Sequence, residues 1–240
     1  MLEENNYIQF KKLNNNDVTN IYTKKLFNFN ENKIEKHLSE SQYKEIQKIL
    51  NYNINKIIKP IQTHTNIVKK VDSTNLNDNF ENVDGLITNL KGIALITSLA
   101  DCLGKLLYDK NKKVIGNIHS GWKGTLNRII CNDIELMVNE YYCNVKDIQV
   151  YICPSILKCY FEVDEDVNIE QFIYKGNIKN KKQKYFIDTV SLNIEILKRV
   201  GILGKNIYNS NICTKCNNNK FNSHRGDKED GRNIALIMLK

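Results

Sequence analysis

Histidine is scarce in this chain. There are four: His37, His64, His119 and His224. Two of them, with one cysteine, share a chemistry. His64 lies in Gln62-Thr63-His64-Thr65-Asn66, between two apolar extended runs. Cys102 follows Leu99-Ala100-Asp101 at the end of another run. His119 opens His119-Ser120-Gly121-Trp122-Lys123-Gly124, between a strand-like run and the clearest helical pattern. Imidazole and thiolate are preferred ligands of zinc, and a catalytic zinc typically takes three protein ligands and leaves the fourth position to water or substrate. All three residues fall at strand ends or turns, where a rigid scaffold displays reactive groups. The gaps of 37 and 16 residues match no ligand motif. By spacing alone, Cys102 could equally be a small buried residue and the two histidines hydrogen-bonded turn residues.

Other polar groups add to this candidate centre. Asp101, beside Cys102, is a candidate proton carrier or a group that orients the ligands. Gly121 and Gly124 flank Trp122 and Lys123 and lead into a helix, so the turn offers free N–H groups and a positive dipole end to a phosphate or carboxylate. It is not a Walker motif; the alternative is a tight strand-to-helix connection. Ser223-His224-Arg225-Gly226-Asp227 and Asp230-Gly231-Arg232-Asn233 form a second cluster near the C-terminus, where the planar fork of Arg225 suits an anion; the alternative is a charged surface turn. Cys213 and Cys216 form a lone CxxC, which without a second pair says little.

These groups need a scaffold, and 240 residues are enough for a substantial core. Two prolines, no Gly/Ser-rich linker and no repeat predict a single domain over 1–240. Ser39 with Gln42 resembles a capping box, followed by Tyr43, Ile46, Ile49 and Leu50 at helical spacing. Extended runs rich in Ile, Val and Leu follow over 56–62, 67–71, 85–88, 93–98, 105–108 and 114–118, punctuated by Asp, Asn and Gly, and predict a central sheet. After Gly124, the residues Leu126, Ile129, Ile130, Ile134, Met137, Val138 and Tyr141 make one apolar helical stripe. A strand is predicted at 149–153, a helix at 189–200 between Asp188 and Gly201, and a last buried strand at 233–239. Clustered strands and fewer helices give a mixed α/β protein.

The formal charge is +8 and the pI about 9. The lysines are spread along the chain, and the densest run, Lys179 to Lys184, reads as a solvated loop. No nucleic-acid-binding motif accompanies the charge, so nucleic acid is not an expected partner. The N-terminal MLEENNYIQF lacks the basic and apolar regions of a signal peptide, and no apolar run is long enough to span a bilayer. Seven irregularly spaced cysteines then point to a reducing cytoplasm, with thiols free or metal-bound.

Taken together, the segments resemble the bacterial family variously called laccase-like polyphenol oxidase, purine nucleoside phosphorylase or peptidoglycan editing factor. The matching segments, in order, are Gln62-Thr63-His64; Asp84-Gly85-Leu86-Ile87-Thr88; Ala100-Asp101-Cys102 with Leu106-Leu107-Tyr108-Asp109; His119 to Gly124; Cys153-Pro154-Ser155-Ile156 with Tyr160-Phe161-Glu162-Val163; and Cys213-Thr214 with Phe221, Ser223-His224-Arg225 and Gly231-Arg232. They span roughly residues 60 to 240. The resemblance implies an α/β/β/α sandwich with a large mixed-sheet core, shared with cysteine hydrolases of the cytotoxic necrotizing factor type. It implies metal ligation by His64, Cys102 and His119. It also implies phosphorolysis of adenosine, inosine, guanosine and methylthioadenosine, and adenosine deamination. Gly104 stands where the family usually has Pro, and Gly226 where a second Arg usually follows Arg225.

Four functions follow as expectations. The first is purine nucleoside phosphorolysis with deamination at a His/Cys/His zinc site, with phosphate held by Arg225, His224, Trp122 and Lys123. The second is a metal-free cysteine hydrolase, an amidase editing peptidoglycan precursors, with Cys102 as nucleophile and His119 as base. The third is a copper-dependent laccase-like oxidase; imidazole accepts copper as well as zinc, but four histidines cannot furnish the several copper centres of a multicopper oxidase. The fourth is a non-catalytic basic binding protein.

Overall fold

In strand Gly231–Leu239 (β16), Ala235, Ile237 and Leu239 pack into one hydrophobic cluster and Ile234, Leu236 and Met238 into another. Alternate residues of a strand point to opposite faces, so both faces of β16 are covered. Strand Ile93–Leu99 (β8) divides in the same way, with Leu95 and Leu99 on one side and Ala94 and Ile96 on the other. The computed structural model describes residues 1–27, 29–30, 39–163, 178–181, 184–227 and 231–240; His37 lies outside them.

β16 and β8 are central in a seven-stranded sheet. Beyond β16 lie Val18–Thr23 (β3), Tyr7–Gln9 (β2) and Leu2–Glu3 (β1); beyond β8 lies Lys56–Ile58 (β5), and Phe29–Asn30 (β4) pairs with one end of β16. Among the described strands of this sheet, only β5 with β8 is parallel. A second, six-stranded sheet runs in the order Ile207–Asn209 (β15), Ile148–Ile152 (β11), Leu103–Asp109 (β9), Val114–Ser120 (β10), Gly85–Thr88 (β7) and Val68–Lys70 (β6). A small three-stranded sheet joins Glu162–Val163 (β12), Lys184–Ile187 (β14) and Ile178–Lys181 (β13). The expected lysine-rich loop at 179–184 is therefore partly a strand pair, β13 with β14.

The single central sheet read from the apolar runs is two sheets packed face to face. Tyr22, Leu95, Leu99 and Ile237 of the first meet Leu86, Leu106, Tyr108 and Ile115 of the second. Helix Glu40–Leu50 (α1) covers the outer face of the first sheet through Ile46 and Leu50. Helices Ile129–Tyr141 (α3) and Thr189–Arg199 (α4) cover the second through Ile130, Ile134, Met137, Leu192, Ile196 and Leu197. The layers are thus helix, sheet, sheet, helix. Asn117 lies in the interior between the sheets: its side chain accepts from Thr97 Oγ1 and donates to the carbonyls of Leu95 and Ala235, each at 2.8 Å. All its polar capacity on that face is used, as burial demands.

The local signals hold at the helix ends. The capping box of Ser39 and Gln42 starts α1, and Asp188 accepts from the Ser191 N–H at the start of α4. The stripe after Gly124 differs. It is carried by a short helix, Trp122–Leu126 (α2), and by α3, separated at Arg128, whose φ of 56° breaks the hydrogen-bond ladder. Leu126 and Ile129 still reach the same cluster, which is why the stripe read as continuous. α2 is fixed by Ser120 Oγ to Thr125 Oγ1, Asn193 Nδ2 to Thr125 Oγ1, and buried Lys105 Nζ to Asn193 Oδ1. No helix among the described residues is long and apolar enough to cross a membrane.

Candidate functional site

The end of β10 carries His119, the turn after β8 carries Cys102, and the loop between β5 and β6 carries His64. Their ligand atoms lie within 4.8 Å of one another. Cys102 Sγ stands 3.8 Å from His64 Nε2; tetrahedral zinc with ordinary Zn–S and Zn–N bonds separates such atoms by about 3.6 Å. The two imidazoles meet edge to face, with ring centroids 4.8 Å apart. Both histidines and the cysteine therefore point at one volume, and the donor set fits zinc or copper.

Asp84, at the start of β7, builds this arrangement. One carboxylate oxygen, Oδ1, accepts from the His64 N–H at 3.1 Å and lies 2.6 Å from His119 Nδ1. The other, Oδ2, accepts from the N–H groups of Thr63 and Thr65 and from the Thr65 hydroxyl. Three successive N–H groups thus converge on one carboxylate and hold His64 at φ 63°, a conformation uncommon outside glycine. With Asp84 accepting the Nδ1 proton, His119 presents Nε2 to Cys102. Such carboxylate–histidine pairs fix the tautomer of a metal ligand. Residue type alone does not mark Asp84 as a site residue. Its signal was only that it opens a matching segment, 20 residues after His64 and 35 before His119.

Electrostatics follow from these contacts. Burial raises the Cys102 thiol, but hydrogen bonds and charge from His119 and His64 outweigh it and hold the thiol down at about 6. Burial lowers His119, but Asp84 and Cys102 bring it up to about 9. Burial raises Asp84, while His119 and Thr65 bring it down to about 2. These shifts favour a thiolate on Cys102 and an imidazolium on His119 at neutral pH; a metal held there would require His119 without the proton on its ligating nitrogen.

Gly121 lets the backbone pass behind the ligands. A Cβ there would stand 2.7 Å from His64 Cδ2 and 3.5 Å from Cys102 Sγ. Its φ of −65° is ordinary, so close approach is the reason for glycine here. Asp101 has φ 78°, and its carboxylate turns to the C-terminal loops. Oδ1 accepts from Thr214 Oγ1 and Ser223 Oγ at 2.6 and 2.7 Å, and Oδ2 from the Arg225 N–H at 2.7 Å.

A cleft opens over His64, Cys102 and His119 in two adjoining lobes of about 400 and 450 Å³, within the usual range for small-molecule sites. His64, Cys102 and His224 line both. Gln62, Lys59 and Arg232 belong to the first; Trp122, Ile156, Phe161 and Arg225 to the second. The structure thus brings His64, Cys102, His119, Asp101, Trp122, His224 and Arg225 together. It does not bring Lys123, which is exposed, lines neither lobe and places Nζ over the Trp122 ring. On a helical turn, adjacent residues face different ways, so Trp122 and Lys123 cannot both enter the cleft. Lys59, Gln62, Ile156, Phe161 and Arg232 are additions to the residues expected there.

The family model described as "Multi-copper polyphenol oxidoreductase laccase" matches residues 25–240. The chain belongs to this family. A purine nucleoside phosphorylase of Borreliella burgdorferi is 32% identical over 243 residues, covering 98% of this chain and 97% of that protein. A protein named adenosine deaminase, from an unknown prokaryotic organism, is 28% identical over 208 residues, covering 80% and 78%. The crystal structure of hypothetical protein YfiH from Bacillus licheniformis superposes with a TM-score of 0.88 at 25% identity, covering 100% of this chain and 98% of that one. The mixed α/β architecture with two large sheets is therefore the fold of YfiH-type proteins. The copper in the family description sets no ligand count here: among the described residues, only two groups of three side chains could hold a metal, His64–Cys102–His119 and Cys159–Cys213–Cys216.

Proposed function

We propose that this chain is a purine nucleoside phosphorylase of the cytoplasm, acting on adenosine, inosine, guanosine and methylthioadenosine, with adenosine deamination at the same zinc centre. The observation that carries the reading is the convergence of His64, Cys102 and His119 at the cleft, with Asp84 fixing two of the three. Relatives named purine nucleoside phosphorylase and adenosine deaminase support it. A zinc ion held there supplies Lewis acidity, which activates water at neutral pH.

The remaining roles fall to the chain's own residues. Trp122, Phe161 and Ile156 offer apolar walls against which a planar purine stacks. Arg225 and His224 are the groups for phosphate; guanidinium binds such an anion through two parallel N–H donors. Asp101 holds the Arg225 backbone and so positions that donor. In phosphorolysis, a phosphate oxygen bonds to ribose C1′ as the C1′–N bond breaks and its electron pair leaves with the purine. In deamination, water adds at purine C6 and ammonia leaves. The test is product analysis on adenosine with and without phosphate. Ribose 1-phosphate and adenine formed only with phosphate support the reading; no nucleoside consumed by zinc-loaded protein would overturn it.

One observation favours a second reading. Asp84, His119 and Cys102 also form the order of an orienting acid, a base and a lowered-pKa thiol, as in cysteine hydrolases. Amide hydrolysis that survives chelation and stops on alkylation of Cys102 would replace the zinc reading with this one.

A further inference from the structure

The lone CxxC of the sequence has a third partner in the fold. Cys159 sits in the turn before β12, and its Sγ lies 3.6 Å from Cys213 Sγ and 3.5 Å from Cys216 Sγ. All three sulfur atoms lie within 4.8 Å of one another. Thiolates around tetrahedral zinc, at ordinary Zn–S bonds, stand about 3.8 Å apart. The thiols are free of disulfides. None of them lines the cleft, and the proposed reaction uses none.

A backbone donor meets one of the three sulfur atoms. The Leu157 N–H donates to Cys213 Sγ at 3.5 Å, and the Cys213 carbonyl caps the turn through the Asn217 N–H and side chain. Lys158 and Lys215 flank the cysteines in sequence and offset the net charge of three thiolates on a divalent ion. Cys213 is buried, whereas Cys159 and Cys216 are exposed, so a fourth position faces solvent.

We propose that Cys159, Cys213 and Cys216 form a second zinc site, a three-thiolate clasp with water at the fourth position. Three S–H groups give their protons to solvent as three Zn–S bonds form. The clasp ties the 155–161 turn to the 212–217 turn. These segments are already joined by the Ser155 N–H to the Ile212 carbonyl and the Thr214 N–H to the Ser155 carbonyl. Ile156 and Phe161 of the first line the cleft, and Thr214 of the second holds Asp101. The site therefore braces one wall of the cleft without touching substrate.

The test is zinc content after growth with zinc, purification under reducing conditions and dialysis against metal-free buffer. Wild type is expected to carry two zinc ions per chain, Cys102→Ala one, Cys159→Ser/Cys216→Ser one, and the combined variant none. Cobalt titration gives a readout that does not depend on the double variant folding. The Cys102→Ala protein, with three thiolates on cobalt, should show a stronger thiolate-to-metal charge-transfer band than wild type loaded only at the one-cysteine centre. Unchanged zinc content in the double variant would overturn the proposal, as would a disulfide among these three cysteines in zinc-grown protein kept reduced, or no thiolate band in Cys102→Ala. Two zinc ions without nucleoside turnover would leave the clasp standing and remove only the phosphorylase reading.

Discussion

Replacing Asp84 by Asn changes the side-chain volume hardly at all, yet it should weaken the proposed metal centre. Each Asp84 oxygen faces hydrogen-bond donors: the His64 N–H and the protonated His119 Nδ1 on one side, two N–H groups and the Thr65 hydroxyl on the other. Asn has one oxygen and one NH2, so in either orientation an NH2 confronts donors. Facing the threonine side, it leaves two part-buried N–H groups without their acceptor. Facing His119, it forces the proton from Nδ1 to Nε2 and removes that nitrogen as a ligand. An unpaired buried group costs about 1–3 kcal/mol, so metal-free protein should lose about 2–4 kcal/mol of stability. The lost orientation of His119 should weaken zinc binding about 10–100-fold. Urea unfolding of chelated protein measures the first and chelator competition the second. The stabilisation also has a pH signature. A carboxylate lowered to about 2 contributes fully above its unfolded value near 4 and loses that contribution as the pH falls through about 2. Wild-type zinc affinity and an unchanged unfolding midpoint in Asp84→Asn would refute the role given to this carboxylate.

Three further outcomes are expected. In chelated protein, iodoacetamide should label Cys102, identified by peptide mass spectrometry, with an apparent midpoint near pH 6, since His119 and His64 hold the thiol down; zinc should slow the labelling, and a midpoint near 9 would contradict the pairing. Arg225→Ala should weaken phosphate-dependent turnover far more than nucleoside binding, with Lys only a partial substitute; unchanged phosphate dependence would return this segment to a surface turn. Gly121→Ala should lower zinc affinity by displacing His64, whose ring lies 2.7 Å from the added carbon, and an unchanged affinity would show that the loop yields without disturbing the ligand.

What the sequence determined by itself was local or nearly so. Ser39 with Gln42, and Asp188 with Gly201, mark helix ends because a cap bonds within a few residues of itself. The runs at 85–88, 93–98 and 114–118 read as strands because side chains covered on both faces leave an unbroken apolar stretch. His64, Cys102 and His119 were found by residue type, since few side chains bind zinc. The N-terminal strands β1 to β4 escaped, being short and, apart from β3, of two or three residues. Tertiary structure alone decided the rest, because these matters depend on which distant elements meet. Two stacked sheets and one sheet give the same apolar runs. Asp84 becomes the partner of His119 only when β7 pairs with β10. Asp101 sits beside Cys102 in sequence but turns its carboxylate to Thr214, Ser223 and Arg225, and adjacency could not say which way it would face. Cys159 reaches Cys213 and Cys216 across more than fifty residues, because the 155–161 and 212–217 turns hydrogen-bond to each other. Spacing records distance along the chain, and a site is made of distances across it.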